Sequence, residues 1–305
     1  MGLRKFIRNV RFLLKHELKT ITKNVESVHA PIRKHPRWIR SLPVLIVYLD
    51  RLYRNEPAGV YGKPNIEDRE ATLQELINSD RSLIRFGEGE LGHLENIPEP
   101  FQEVDPLLKE RLIEILGSDD PRIMLCLNRN FWYGDICTTM KEICQFVWVR
   151  RVVENYMVPG KKYYNTNVTF SYIRNIDNPS ILEDWYAKWR SVWAGKDVLI
   201  VCGDRVFNDI EYNIFDNAKS MEWLHVPTCN AFEQYDAILA DIRKTDSHRL
   251  VILIVGPTAT VLAYDLTIQD NRRCLDLGHL AQDYDAYRKL LPKDSETIKK
   301  FWDAD

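Results

Sequence analysis

The chain has 305 residues, of which 45% are hydrophobic and 28% are charged, so it has enough apolar surface to form a folded core. This size and composition exclude a peptide hormone, a small disulfide- or zinc-stabilised domain, and a disordered or collagen-like chain. The formal net charge of -2 gives no indication of nucleic-acid binding, and we expect no nucleic acid among the partners.

Positive charge is concentrated in the first 65 residues, which carry 14 Lys and Arg against 4 Asp and Glu. Residues 1–21 place apolar side chains at helical spacing with cations between them, which predicts a basic amphipathic helix rather than a signal peptide or a transmembrane span. Such a helix either binds an anionic membrane surface or docks on the rest of the chain. We expect an N-terminal arm and connector over 1–65 and one domain over 66–305.

Short apolar runs alternate with helical patterns from residue 66 onward. The apolar runs predict strands at 82–86, 122–127, 198–202, 223–226, 250–255 and 274–277. The patterns between and after them predict helices at 67–78, 106–116, 135–156, 181–193, 231–244, 258–268 and 281–290. This alternation predicts an α/β fold with a mostly parallel sheet, helices on both faces, and a site at the carboxyl ends of the strands.

A Gly-Glu-Gly-Glu sequence follows the first predicted strand. On an extended turn the carboxylates of Glu88 and Glu90 point the same way, and Mn²⁺ or Mg²⁺ could bridge them. Gly87 and Gly89 would let a diphosphate approach the backbone, and Arg85 would supply a positive charge. The segment therefore predicts a metal-assisted diphosphate site.

The same glycines also match G-x-G-x-x-G, the dinucleotide-binding fingerprint. Three features count against that interpretation. A pyrophosphate would meet the two glutamates, Pro98 and Pro100 fall where the following helix should run, and a helical pattern at 106–116 stands where a second strand should end in an acid. A nicotinamide-dependent oxidoreductase is kept as an alternative.

Another predicted strand end carries hydroxyl groups beside a glycine. Gly256 and a proline follow the strand at 250–255, and Thr258 and Thr260 lie in the first turn of the next helix. Free amides at such a helix start suit a phosphate, and the same sequence is equally expected for an ordinary capped corner.

Two further strand ends carry charged groups. Asp204 and Arg205 follow the strand at 198–202, and Asp276 and His279 close the strand at 274–277. In a parallel sheet these ends share one edge, where the first pair would line a pocket and Asp276 or His279 could act as a base. The spacing of Asp283 and Asp285, by contrast, indicates a solvated helix face.

Six blocks of sequence carry a resemblance to a known family. They are residues 82–90 (SLIRFGEGE), 163–166 (YYNT), 215–220 (FDNAKS), 230–232 (NAF), 256–265 (GPTATVLAYD) and 276–279 (DLGH). In order and spacing they resemble the GT-D type glycosyltransferases, first catalogued as a domain of unknown function. The resemblance implies a Rossmann-like fold, a UDP-sugar donor, and an acceptor hydroxyl on a surface glycan or glycoprotein. It also implies that Glu88 and Glu90 engage the metal and the nucleotide diphosphate.

The chain departs from this family in two places. Residues 209–214 replace a glycine-rich loop, and Ala281 stands where an acid is usual. If that acid is the family's base, then His279, Asp276 or Asp283 takes its place, or this member is inactive.

The sequence thus predicts a metal-dependent glycosyltransferase with a UDP-sugar donor. Six cysteines without a C-x-x-C pair indicate reduced thiols, so we expect a cytoplasmic protein, held at the inner membrane face by residues 1–21. A catalytically inactive, membrane-recruited scaffold is the other alternative.

Overall fold

The computed structural model describes residues 64–129, 153, 155–158, 160–173, 178–292 and 295–300. By its internal contacts the chain divides into two compact units, and nearly all described residues belong to the unit formed by 65–129 and 156–305. The helix predicted at 1–21 and most of the helix predicted at 135–156 lie outside the described residues. The domain boundary at residue 65 stays a prediction.

In the part of the chain that the structure describes, eight strands form one sheet in which every neighbouring pair is parallel. They are β1 (Asn65–Ile66), β2 (Ser82–Arg85), β3 (Ile123–Leu127), β4 (Lys162–Asn165), β5 (Asp197–Gly203), β6 (Ser220–Val226), β7 (Leu250–Ile254) and β8 (Cys274–Asp276). Their order across the sheet is β1-β4-β3-β2-β8-β7-β5-β6. The predicted parallel sheet is confirmed.

Eight α-helices surround this sheet within the described residues. They are α1 (Arg69–Asn78), α2 (Glu88–Leu94), α3 (Pro106–Leu116), α4 (Pro179–Trp193), α5 (Tyr235–Lys244), α6 (Pro257–Asp270), α7 (Leu280–Arg288) and α8 (Glu296–Lys299). Two 3₁₀ turns, Thr166–Thr169 and Ala231–Gln234, complete the described elements. None of the described helices is long and apolar enough to cross a membrane.

Helices pack on both faces of the sheet, as two adjacent residues of β2 show. The Ser82 hydroxyl lies 2.7 Å from the hydroxyl of Thr267 in α6. Leu83, the next residue, is buried in a cluster with Leu73 of α1 and Trp189 of α4. Because successive strand residues face opposite sides, these contacts place α6 on one face and α1 and α4 on the other.

The strand order brings three carboxyl ends together. β8 lies between β2 and β7, with Leu275 paired to Leu83 of β2 and Asp276 paired to Leu253 of β7. The segments that follow β2, β7 and β8 therefore leave the sheet side by side. This edge positions most of the predicted site.

Four elements differ from the sequence prediction. β1 and β4 are additional strands of two and four residues, paired with each other in parallel. The helix predicted at 231–244 begins as the 3₁₀ turn Ala231–Gln234, and α5 follows it. The helix α2 was not predicted, and it carries both Glu88 and Glu90.

Asp283 and Asp285 are buried, so the prediction of a solvated helix face is wrong. Asp283 accepts hydrogen bonds from the backbone amides of Ser171 (2.8 Å) and Ile173 (2.9 Å) and from the Tyr186 hydroxyl (2.7 Å). Asp285 accepts from two amides of the loop before β6 and from Lys289. Each carboxylate therefore fixes a loop to α7.

We expect Asp283→Ala to lower the free energy of unfolding by about 3 kcal/mol, because several buried donors lose their acceptor at once. Asp241→Ala is the matched control, since Asp241 is half exposed and forms an ion pair with Lys244 on its own helix. The control should change stability by less than about 0.5 kcal/mol. Urea unfolding followed by circular dichroism measures both, and equal midpoints for the two variants would contradict the anchoring role.

Candidate functional site

The Gly-Glu-Gly-Glu segment forms the start of α2 directly after β2. Gly87 is the N-cap residue, with an extended backbone, and its amide donates a 2.7 Å hydrogen bond to the carboxylate of Glu90. The Leu91 amide donates to the Gly87 carbonyl, which closes the first helical turn. The prediction that this segment is an extended turn is therefore wrong.

This geometry changes how the two glutamates relate to each other. Residues two apart on a helix do not face each other. Glu88 is exposed, whereas Glu90 folds back onto the N-cap, and burial raises the pKa of its carboxyl even though Arg85 lies near it. Among the described residues, no group of three His, Cys, Asp or Glu side chains could hold a metal ion. In this arrangement the carboxylates of Glu88 and Glu90 do not fit a site in which both bind one cation.

Arg85, the last residue of β2, places a buried guanidinium at the carboxyl edge of the sheet. Its Nη1 donates a 2.8 Å hydrogen bond to the hydroxyl of Thr169, and its Cζ lies 5.9 Å from the ring centre of Phe170. Gly278 lies directly against it with φ of 49°. A Cβ at Gly278 would overlap Nη1 and lie 3.0 Å from Cζ, so this close approach requires glycine.

Asp276, at the end of β8, is buried beside Arg85 and accepts a 3.3 Å hydrogen bond from the Arg85 amide. Burial raises the pKa of Asp276 to about 7, with Glu90 adding to the effect and Arg85 opposing it. Thr260 of α6 donates from its hydroxyl to the Arg85 carbonyl at 3.1 Å. Asp276 and Thr260 therefore both hold the end of β2 in place.

His279 is the N-cap residue of α7 and lies between two aromatic rings. The ring centres of Phe101 and Phe170 lie 6.3 and 6.0 Å from that of His279. Burial, together with the charge of Arg85, lowers the pKa of His279 to about 4. Its imidazole is therefore neutral at pH 7, and in this environment it is a weaker base than an ordinary histidine.

The predicted corner between β7 and α6 is confirmed. Gly256 is the N-cap residue with φ of 54°, and a proline occupies the first helical position. Thr258 is fully buried, and its hydroxyl has no hydrogen-bond partner among the described residues. Whether this corner binds a phosphate stays a prediction.

Asp204 and Arg205 lie apart from this group. They follow β5, which is separated from β8 by β7, and both are exposed. The Thr228 hydroxyl donates a 2.6 Å hydrogen bond to Asp204, which holds the pKa of that carboxyl below its usual range. The structure thus brings Arg85, Asp276 and His279 together and leaves Asp204 and Arg205 outside their contacts.

Glu99 is a site residue that the sequence analysis did not identify. Its carboxyl lies against two glycines, with Oε2 3.3 Å from a Cβ built on Gly89 and Oε1 3.5 Å from one built on Gly256. Burial and the charge of Glu90 raise the pKa of Glu99 to about 8. Its position between Pro98 and Pro100, which restrict the backbone, was the available sequence signal.

Comparison with known proteins agrees with this architecture. The family model "Glycosyltransferase GT-D fold" matches residues 83–302. The chain belongs to the GT-D glycosyltransferase family. The match covers every candidate site residue from Arg85 to His279, so the resemblance in the six sequence blocks is confirmed.

Solved structures of the family are similar to this chain. A protein described as "The highly conserved domain of unknown function 1792 has a distinct glycosyltransferase fold" superposes with a TM-score of 0.68 at 28% identity, covering 74% of this chain and 82% of its own. "A New Glycosyltransferase (DUF1792) from Streptococcus sanguinis" gives a TM-score of 0.64 at 28% identity, covering 74% and 85%.

Two curated streptococcal proteins are also similar to the GT-D chain. "Probable glycosyl transferase Gly" of Streptococcus gordonii is 30% identical over 71% of this chain and 32% of its own length. "Glycosyltransferase GlyD" of Streptococcus pneumoniae serotype 4 is 28% identical over 70% of this chain and 26% of its own length. The chain therefore spans about a third or less of the curated relatives that it matches.

We expect Gly278→Ala to displace the Arg85 guanidinium, and Gly195→Ala is the matched control. Both glycines have positive φ, at 49° and 68°, so both variants carry backbone strain of about 1 kcal/mol. A Cβ at Gly195 meets no described atom within 4 Å. Gly278→Ala should cost a further 1–3 kcal/mol, roughly the cost of breaking the buried bond to Thr169. Chemical denaturation measures the difference, and equal losses would show that Arg85 is not held by this contact.

Proposed function

We propose that this chain transfers a sugar from a UDP-linked donor to a hydroxyl of a surface glycan or glycoprotein. The observation that carries the proposal is the buried guanidinium of Arg85, fixed at the carboxyl edge of a parallel sheet in a GT-D family member. Ligands of open parallel sheets bind at this edge. The family supports the reaction class, and the resemblance supports the choice of donor and acceptor.

Arg85 would stabilise the negative charge that develops on the departing diphosphate. Its guanidinium is already fixed by Thr169 and Gly278, so little reorganisation is needed when that charge appears. The amides at the start of α6, beside Gly256, would add donors on the same edge. Positioning and electrostatics would supply most of the rate in this mechanism.

Among the three candidate bases, His279 fits best. Asp283 is fully buried and its oxygens are occupied by backbone amides and Tyr186, and Asp276 is buried against the Arg85 amide. The neutral imidazole of His279 can take a proton from the acceptor hydroxyl. Burial is the main cause of the lowered pKa of His279, and the charge of Arg85 adds to it. A diphosphate bound to Arg85 would offset this second cause, and the imidazole would become a stronger base.

Several parts of the sequence interpretation stay predictions. The participation of Mn²⁺ or Mg²⁺ is one, and no step above depends on it, because Glu88 and Glu90 diverge as placed. The donor-pocket role of Asp204 and Arg205 is another. Binding of residues 1–21 to an anionic membrane at the cytoplasmic face is a third, and liposome sedimentation of the full chain tests it.

Calorimetric titration of the full chain with UDP, with and without Mn²⁺, tests the donor class. A set of UDP-sugars assayed for UDP release tests the chemistry. Binding of UDP together with donor turnover supports the proposal. Binding of NAD(H) in place of UDP would support an oxidoreductase, and UDP binding without turnover of any donor would support an inactive scaffold.

We expect Arg85→Lys to weaken UDP binding by about tenfold, which corresponds to about 1.4 kcal/mol. Lysine keeps the charge but lacks the planar fork that binds two phosphate oxygens at once. Arg243→Lys is the matched control, because Arg243 is an exposed residue paired with Asp270 on the outside of the domain. Titration should show unchanged affinity for the control. Equal affinity in both variants would remove Arg85 from the donor site.

A further inference from the structure

The Glu99 carboxyl occupies a gap that two glycines leave open. Its Oε1 lies 3.5 Å from a Cβ built on Gly256, the N-cap residue of α6, and its Oε2 lies 3.3 Å from one built on Gly89 in α2. A Cβ at Gly89 would be tight against the carboxyl, and one at Gly256 would be in ordinary van der Waals contact with it. The gap lies at the carboxyl edge of the sheet, beside the corner where the proposed function places the donor diphosphate.

The contacts around Glu99 do not stabilise its charge there. Its Oε1 is buried and has no hydrogen-bond partner among the described residues. Glu90 faces it from α2 and carries the same charge, which, after burial, is the second cause that raises the pKa of Glu99 to about 8. Glu90 in turn interacts with Arg85 and Asp276. A buried carboxyl oxygen without a donor weakens the fold, so its presence calls for another explanation.

A second buried group at the same corner lacks a partner. The hydroxyl of Thr258, in the first turn of α6, is fully buried and unpaired among the described residues. Two polar groups beside one helix start, one an acceptor and one a donor, are thus left without hydrogen bonds. A group with phosphate oxygens bound at this helix start would compete with the carboxylate for the same space.

The backbone that carries Glu99 is anchored on its C-terminal side. The Asn230 amide donates to the Phe101 carbonyl at 2.8 Å, and the Glu103 amide donates to the Asn230 side chain at 2.8 Å. Glu99 itself is bridged to Gln102 through backbone hydrogen bonds. A change at Glu99 is therefore a rotation of its side chain rather than an opening of the loop.

We propose that Glu99 controls entry of the donor, because its side chain fills the place beside Gly256 that the donor diphosphate takes. This inference rests on the proposed function. The donor binds when the Glu99 side chain rotates away. Glu99 is thus a residue that sets donor affinity.

The test compares UDP affinity, in Mg²⁺, for the wild type, Glu99→Gln and Glu99→Ala at pH 9. Glu103→Gln is the matched control, since Glu103 is an exposed glutamate on the same loop. Both Glu99 variants should bind UDP at least about tenfold more tightly than the wild type, because a nearby negative charge is removed. Glu103→Gln should match the wild type.

The outcomes separate the two proposals. Equal affinity of wild type and Glu99→Ala at pH 9, or weaker binding by Glu99→Ala, overturns the entry role while UDP binding by the wild type leaves the proposed function standing. Tighter binding that also appears in Glu103→Gln reduces the effect to general surface charge and overturns the assignment to Glu99. Absence of UDP binding in all four proteins overturns the proposed function and this inference together.

Discussion

One buried guanidinium sets the charge balance at the carboxyl edge of the sheet. Arg85 lies beside Asp276 and Glu90, and its position is fixed by Thr169 and the missing side chain of Gly278. Burial raises the pKa of Asp276 and of Glu90, and the charge of Arg85 opposes this only in part. Burial also lowers the pKa of the neighbouring His279, and the charge of Arg85 adds to that effect. After burial, the position of Arg85 therefore contributes to the protonation state of all three residues.

The raised pKa values reduce the negative charge at the carboxyl edge of the sheet, so an anion meets less repulsion there than the number of acidic residues indicates. With pKa values raised to about 7 for Asp276 and about 8 for Glu99, much of the acidic character is neutralised by protons near pH 7. Arg85 then faces fewer full negative charges, and a diphosphate would meet less repulsion. Above pH 8 the carboxyls ionise together and oppose it. The acidic residues at this edge thus act as a group that responds to pH rather than as independent charges.

Sequence patterns identified the parts of the fold that depend on local periodicity. The apolar run at 250–255 and the Gly-Pro turn after it fold as a strand, a corner and a helix. The order of the strands depends on contacts between distant segments, and periodicity does not encode it. β1 has two residues and β4 begins with an exposed lysine, so neither shows an apolar run long enough to mark a strand. Glu99 became a site residue only because the fold brings Gly89 and Gly256 together.

The acid-x-acid spacing shows why the backbone decides what a motif means. On an extended chain Glu88 and Glu90 would point the same way, but a capping interaction with Gly87 starts a helix and separates them. Glu90 becomes the inner acid, tied to the backbone and close to Arg85, and Glu88 becomes the outer acid, exposed to solvent. The negative charge of the inner acid adds to the effect of burial and helps to raise the pKa of both Asp276 and Glu99. The outer acid is exposed to solvent, so the two glutamates of one motif have different physical roles.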